Sequence, residues 1–216
     1  MSRLAKPSWL TKDFSKTFYD SQGLIEEDVS LLLGNYWLND NIINFYYLFL
    51  ENEKFREYCF VAPSVSFIIS MVDDDEIKNT LHSLNAKDKK LVFFPVTDNT
   101  DISSSGGTHW SLLVFESNSG KFYYFDSMGS MNKSAAKYLA SKVAPYFGVK
   151  ASNLHIAKAP QQKNGYDCGI YVLAMSEYIA EHGLSDAQIE SEITPSKATQ
   201  LRKVILDLIE KKSQEE

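Results

Sequence analysis

The spacing of apolar residues changes character twice along the chain. Near the start, acids in Glu26-Glu27-Asp28 lead into Val29 and Leu31-Leu32-Leu33, with Gly34 behind them, which predicts a short helix. Ile42, Ile43, Tyr46 and Leu50 then recur at helical spacing, with Asn39 or Asp40 placed to cap them. Asp73-Asp74-Asp75-Glu76 ahead of Ile77 and Leu81 reads as another acidic helix start with a solvated first turn. The middle of the chain switches to short, nearly unbroken apolar runs: Leu91 to Val96, Trp110 to Phe115, Phe122 to Phe125 and Leu154 to Ala157. These predict strands, with turn chemistry in Ser117-Asn118-Ser119-Gly120 between the second and third. Ala135 to Phe147 is a helix stopped by Gly148, with Pro145 expected to fray its end. Ile170 to Met175 follows a tight loop and predicts a buried helix ending at Gly183. Ser196 is placed to cap a last helix carrying Leu201, Val204, Ile205 and Leu208.

Helices at both ends of a strand-rich middle give an α+β arrangement rather than repeated βαβ units. The first sixteen residues are poorly periodic and predict a loosely held arm, from which Trp9 and Leu10 could dock. Residues 17–216 show no linker-like shift and predict one domain.

Composition narrows the classes. A hydrophobic share of 44% is enough for a sizeable core, and a net charge of −6 disfavours nucleic acid as a partner. No run approaches a membrane span, and no signal peptide is expected behind the N-terminal Met1-Ser2-Arg3. Two widely separated cysteines make no disulfide framework, so a reducing compartment, cytoplasm or nucleus, is expected. Those cysteines and four scattered histidines lack metal-ligand spacing, and Ser103-Ser104-Ser105-Gly106-Gly107 lacks the lysine of a phosphate loop. No metal or cofactor is expected, and the serine-rich stretch reads instead as a lid that orders on substrate binding.

The chemistry concentrates around Gln161-Gln162-Lys163-Asn164-Gly165-Tyr166-Asp167-Cys168-Gly169. Cys168 falls at the first turn of a buried helix, where unpaired N–H groups and the dipole favour a thiolate. Gln162, six residues upstream, is placed to donate its amide to an oxyanion. A base is needed. His82 falls in a surface helix, His182 at a helix C-terminus and His155 on a short strand. His109 opens the strand that begins at Trp110. If the hairpin turns about Ser117-Asn118, counting outward sets His109 directly opposite Asp126, with Cβ atoms about 5 Å apart on one face. Asp126 would then orient the imidazole and leave its other nitrogen for the thiol. Singly, such a cysteine is ordinarily a small core residue and such an aspartate a turn former. Their conjunction favours catalysis, and Cys59, without such neighbours, reads as core.

Four blocks, Trp37-Leu38-Asn39-Asp40, Gly107-Thr108-His109-Trp110-Ser111, Tyr124-Phe125-Asp126-Ser127 and Gln161 to Gly169, resemble the Ulp/sentrin-specific cysteine proteases in wording and order. These have an adenain-like fold and cleave after the C-terminal Gly-Gly of ubiquitin-like modifiers. The resemblance implies Cys168 as nucleophile, His109 as general base, Asp126 as its orienter and Gln162 in the oxyanion hole. It further implies that Trp37 and Trp110 enclose the Gly-Gly tail, with Asp40 holding the tail or capping its helix. Within the family the blocks look most like the branch acting on the Nedd modifier, whose conjugates include cullins, and a monomeric enzyme is expected. The readings weighed against it are a SUMO protease with the same triad, an acyltransferase on a related scaffold, and a non-catalytic module that binds a ubiquitin-like protein.

Overall fold

The computed structural model describes residues 4–19, 23–101 and 106–215, with Asp186 and Ala187 described by backbone alone. Ser103-Ser104-Ser105, the heart of the expected lid, lie outside the described residues.

In chain order the elements are β1 (Ser15–Lys16), β2 (Leu24–Ile25), α1 (Glu26–Ser30), α2 (Asp40–Phe49), β3 (Cys59–Phe60), α3 (Pro63–Ile69), α4 (Asp74–Ser83), β4 (Leu91–Thr97), β5 (Trp110–Glu116), β6 (Lys121–Phe125), α5 (Lys133–Phe147), β7 (Leu154–Ile156), α6 (Cys168–His182), α7 (Asp186–Glu192) and α8 (Pro195–Gln214). A five-stranded sheet in the order β3-β4-β5-β6-β7 forms the centre. Its two long pairings, β4 with β5 and β5 with β6, are antiparallel, and its short outer pairings are parallel. The strands read as unbroken apolar runs because both faces are covered. Phe93, Leu112, Val114 and Phe125 pack with α2, α6 and α8. Val92, Phe94, Leu113, Phe115 and Tyr124 pack on the other face with α4 and α5. Helices from both ends of the chain, together with the one expected between the third and fourth strands, thus sandwich the sheet, within the expected α+β class.

The hairpin register differs from the expected one. Glu116 pairs with Lys121 and Leu112 with Phe125, so the connection is the four-residue turn Ser117–Gly120, closed by the Gly120 N–H on the Glu116 carbonyl at 2.9 Å. The shift is two residues. Because side chains alternate with a period of two, an even shift leaves each residue on its expected face. His109 and Asp126 are therefore diagonal rather than directly opposed, and still on the same side.

Other differences are local. Thr194, not Ser196, caps α8: its side chain accepts the Lys197 N–H, and Pro195 takes the first helical position. Val204 is exposed, whereas Leu201 and Ile205 are buried. Asn39, not Asp40, caps α2 by accepting the Ile42 N–H at 3.1 Å. Pro145 lies inside α5. The short elements β3, α3 and α7 carry too few apolar positions to have shown a period. Within the N-terminal segment Leu10 is buried, Trp9 packs edge-on against Phe14, and the Leu4 N–H bonds the Leu33 carbonyl at 2.8 Å. Among the described residues no helix is long and apolar enough to cross a membrane.

Candidate active site

Three elements converge on one cleft of about 400 Å³, whose walls include Trp37, Asp40, His109, Trp110 and Cys168. Cys168 is the first residue of α6, a helix buried almost all round. Gly169 follows it because α6 enters against Leu38: a Cβ there would meet the Leu38 Cβ at 3.0 Å. His109 immediately precedes β5, and its entry is held by Asp98, whose Oδ1 accepts the N–H groups of Thr108 at 2.6 Å and His109 at 3.2 Å. Asp126 immediately follows β6.

His109 Nε2 and Asp126 Oδ1 are 2.6 Å apart, and both side chains are fully buried. Asp126 is surrounded by donors. Its Oδ1 also accepts the Met128 N–H at 2.8 Å, and its Oδ2 accepts the Tyr124 hydroxyl and the Asn132 N–H. Burial works to raise the Asp126 pKa, but these donors outweigh it and hold the carboxyl below its usual range. Burial likewise works to lower His109. The hydrogen bond to Asp126 and the interaction with Cys168 reverse that and raise the imidazole from 6.5 to about 9. With Nε2 committed to Asp126, Nδ1 has no partner within the protein and is left for the sulfur. Once the sulfur's proton passes to Nδ1, the arrangement holds an imidazolium beside a thiolate at a helix N-terminus, the pairing a charged sulfur nucleophile requires. Cys59 is the opposite case: burial, with Glu51 nearby, pushes its thiol up to about 12.

Gln162 lies in the loop before α6. Its Oε1 accepts the Ser127 hydroxyl at 2.7 Å, and its Nε2 donates to the Asn164 carbonyl at 2.6 Å. Gln161 is engaged elsewhere, donating to the carbonyls of Asp126 and Ala159. Trp37 is half exposed, its indole N–H on the Gly165 carbonyl, while the Trp110 indole donates to the Leu38 carbonyl at 3.0 Å. Asp40 is exposed and, with capping done by Asn39, is left to face the cleft. The structure therefore brings Trp37, Asp40, His109, Trp110 and Cys168 to one cleft, with Asp126 directly behind His109. Gln162 is tied to Ser127, next to Asp126. The other three histidines do not line the cleft. His155 meets Tyr123 edge-on and His182 stacks on Tyr178. Among the described residues no three His, Cys, Asp or Glu side chains group to hold a metal.

Comparison with known proteins places this geometry. Residues 36–213 match the model of the Ulp1 protease family, C-terminal catalytic domain. The chain belongs to the Ulp1 protease family. Among curated Ulp1-family relatives, it is 37% identical to sentrin-specific protease 8 of Mus musculus over 196 residues, covering 86% of this chain and 88% of that one. It is 35% identical to NEDD8-specific protease 1 of Arabidopsis thaliana over 206 residues, covering 89% and 91%. Among solved structures, the Ulp1 protease domain in complex with Smt3, the yeast ortholog of SUMO, superposes with a TM-score of 0.74 at 21% identity, over 93% of this chain and 89% of that one. The chain is accordingly a cysteine protease with the Ulp fold.

Residues beyond those expected complete the site. Tyr124 was legible in principle, since it lies two positions before Asp126 and therefore on the same face of its strand. Asn132 was not. An asparagine opening a helix reads as a cap, yet its side chain makes no cap bond and donates instead to the carbonyls of Val96 at 3.1 Å and His109 at 2.9 Å.

Proposed function

We propose that the chain cleaves after the C-terminal glycine of the ubiquitin-like modifier NEDD8, removing it from conjugated lysines and maturing its precursor. One observation carries the choice of modifier. The relative named NEDD8-specific protease 1 aligns across nearly the whole of both chains at 35% identity, whereas sentrin-specific protease 2 of Rattus norvegicus reaches 26% and is covered over only 27% of its length. Conjugates such as cullins and a monomeric state belong to the same proposal through the resemblance, and action in cytoplasm and nucleus belongs to it through the two free cysteines.

The chemistry follows from the site. The tail of the modifier lies in the cleft between Trp37 and Trp110, where flat indole faces admit glycine and turn away a Cβ. The Cys168 thiol gives its proton to His109 Nδ1 and the sulfur attacks the glycine carbonyl. Gln162 and the N–H groups at the start of α6 take the oxyanion, a contribution of about 3–4 kcal/mol per donor in comparable holes. The imidazolium, oriented by Asp126, protonates the departing amine. Water, deprotonated by the same imidazole, then releases the thioester. Four donors, outweighing the opposing effect of burial, keep Asp126 ionised throughout.

The test is a panel of NEDD8, SUMO and ubiquitin, each carrying a C-terminal fluorogenic amide. Preference for NEDD8 by at least tenfold in kcat/KM is expected, and preference for SUMO overturns the proposal. Cys168→Ala should retain NEDD8 binding and lose all turnover, and residual cleavage would remove Cys168 from the role of nucleophile.

A further inference from the structure

The residue just before the nucleophile is an aspartate with an unusual partner. Asp167 occupies the N-cap position of α6, yet its carboxylate caps nothing. It is instead gripped by Arg202, from α8, through Nε at 2.9 Å and Nη2 at 2.7 Å on the same oxygen. Both side chains are almost fully buried. Nη1 donates to the Leu31 carbonyl at 2.9 Å, and Nη2 also reaches the carbonyls of Tyr36 at 2.7 Å and Tyr166 at 3.3 Å. The Tyr166 ring also lies against the guanidinium at 5.7 Å. One side chain on the last helix thus holds the residue before Cys168 and the residue before Trp37.

The second carboxylate oxygen of Asp167 continues the chain. It accepts Asn164 Nδ2 at 2.8 Å, while Asn164 Oδ1 takes the N–H groups of Tyr166 at 3.1 Å and Asp167 at 3.0 Å. Those bonds fold residues 164–167 into the turn that aims the start of α6. The carbonyl of the same Asn164 receives the Gln162 amide. A continuous series of hydrogen bonds therefore runs from Arg202 through Asp167 and Asn164 to Gln162, none of which touches the bond to be cleaved until the last.

A buried pair of this kind is weak evidence for a purely stabilising role, because removing two charges from water offsets much of their attraction. What it does supply is orientation. A planar fork that satisfies a carboxylate and three carbonyls has a single geometry, which a lysine cannot reproduce. An oxyanion donor must sit within a few tenths of an ångström of its place before the charge develops.

We propose that Arg202 is a positioning residue for the oxyanion hole, acting through Asp167 and Asn164 on the Gln162 amide and the N-terminus of α6. The proposal rests on the reading of Gln162 as an oxyanion donor, so that reading is tested alongside it. Two rates separate the roles. Hydrolysis of NEDD8 carrying a C-terminal fluorogenic amide needs the oxyanion hole, whereas alkylation of Cys168 by iodoacetamide develops no oxyanion and reads the reactivity of the sulfur. After active-site titration, Arg202→Met and Asn164→Ala should lower kcat by about 10- to 100-fold with KM and the alkylation rate within about threefold of the unmodified protein. Arg202→Lys should recover part of kcat, since it restores the charge but not the fork. If Arg202→Met does not fold, Asn164→Ala decides, because it leaves the buried pair in place. Parallel loss of turnover and alkylation, or unchanged kcat in Asn164→Ala, overturns the proposal. Gln162→Ala distinguishes the cause. If its kcat is unchanged, the oxyanion reading itself has failed. If its kcat falls while Asn164→Ala keeps full kcat, only the link from Arg202 has failed.

Discussion

Asp126→Asn is the substitution whose outcome the structure constrains most tightly. All four partners of the carboxylate are donors: His109 and Met128 on Oδ1, Tyr124 and Asn132 on Oδ2. An asparagine offers one oxygen and one NH2, so on either flip its NH2 meets two former donors. With the NH2 in the Oδ2 position, the Tyr124 hydroxyl can turn to accept, but the Asn132 N–H is orphaned. With the NH2 in the Oδ1 position, the Met128 N–H is orphaned and His109 must accept through Nε2, which moves its proton to Nδ1 and removes the base. Either arrangement costs about 1–3 kcal/mol for the stranded backbone group. The larger effect is on His109. Its rise from 6.5 to about 9 corresponds to roughly 3 kcal/mol in favour of the imidazolium, shared between Asp126 and Cys168. Loss of the Asp126 share should lower kcat/KM on the fluorogenic NEDD8 amide by up to about 100-fold. It should also move the alkaline limb of the pH–rate profile from near 9 toward 6.5. A variant that keeps full activity with its alkaline limb unmoved would refute the assignment of Asp126 as the group that holds His109 protonated.

The same pair gives stability a pH dependence. His109 is raised, so its contribution is complete below about 6.5 and is lost as pH rises through about 9, whereas that of Asp126, which is lowered, is present above about 3.8 and lost as pH falls below it. Thermal denaturation should therefore show a plateau from about pH 4 to 6.5 and a Tm that falls toward pH 9, a fall that Asp126→Asn should flatten. Trp37→Ala removes a half-exposed ring and should leave Tm nearly unchanged while lowering kcat/KM on the NEDD8 amide at least tenfold. Equal activity in that variant would remove Trp37 from the tail slot. Gly107→Ala should damage the segment just before His109, because φ is +105° there and an added Cβ would collide with Thr97 Oγ1 and crowd Asp98 Oδ1 at 3.2 Å. Its Tm and kcat are expected to fall together, and a fully active, equally stable protein would contradict the geometry.

The local signals in the sequence were those that arise within one element. Apolar runs marked the four longer strands of the sheet, acids and Asn39 marked helix starts, and Gly148 and Gly183 marked their ends, because propensity and capping act over a few neighbouring residues. The placement of Cys168 at the first turn of a buried helix was local in the same sense. The pairing of His109 with Asp126 survived an incorrect turn assignment only because the error was two residues, and a period-two element forgives an even slip. Short elements such as α3 and α7 were invisible, and Ser196 lost the cap to Thr194 because both residues have the required chemistry and only the chain's path past Ile193 and Pro195 chooses. The sequence by itself singled out a thiol and an imidazole that meet at one cleft and a carboxylate that bonds the imidazole, since their types and spacing are those the chemistry of a cysteine nucleophile asks for. Tertiary structure alone decided what surrounds them: the turn of the Asn132 side chain away from its helix and onto the carbonyls of Val96 and His109, and the reach of Arg202 from the last helix to the residue before the nucleophile. The contacts of the Asn132 side chain and of Arg202 join positions far apart in the chain, and no local preference of an asparagine or an arginine announces which distant carbonyl or carboxylate it will meet.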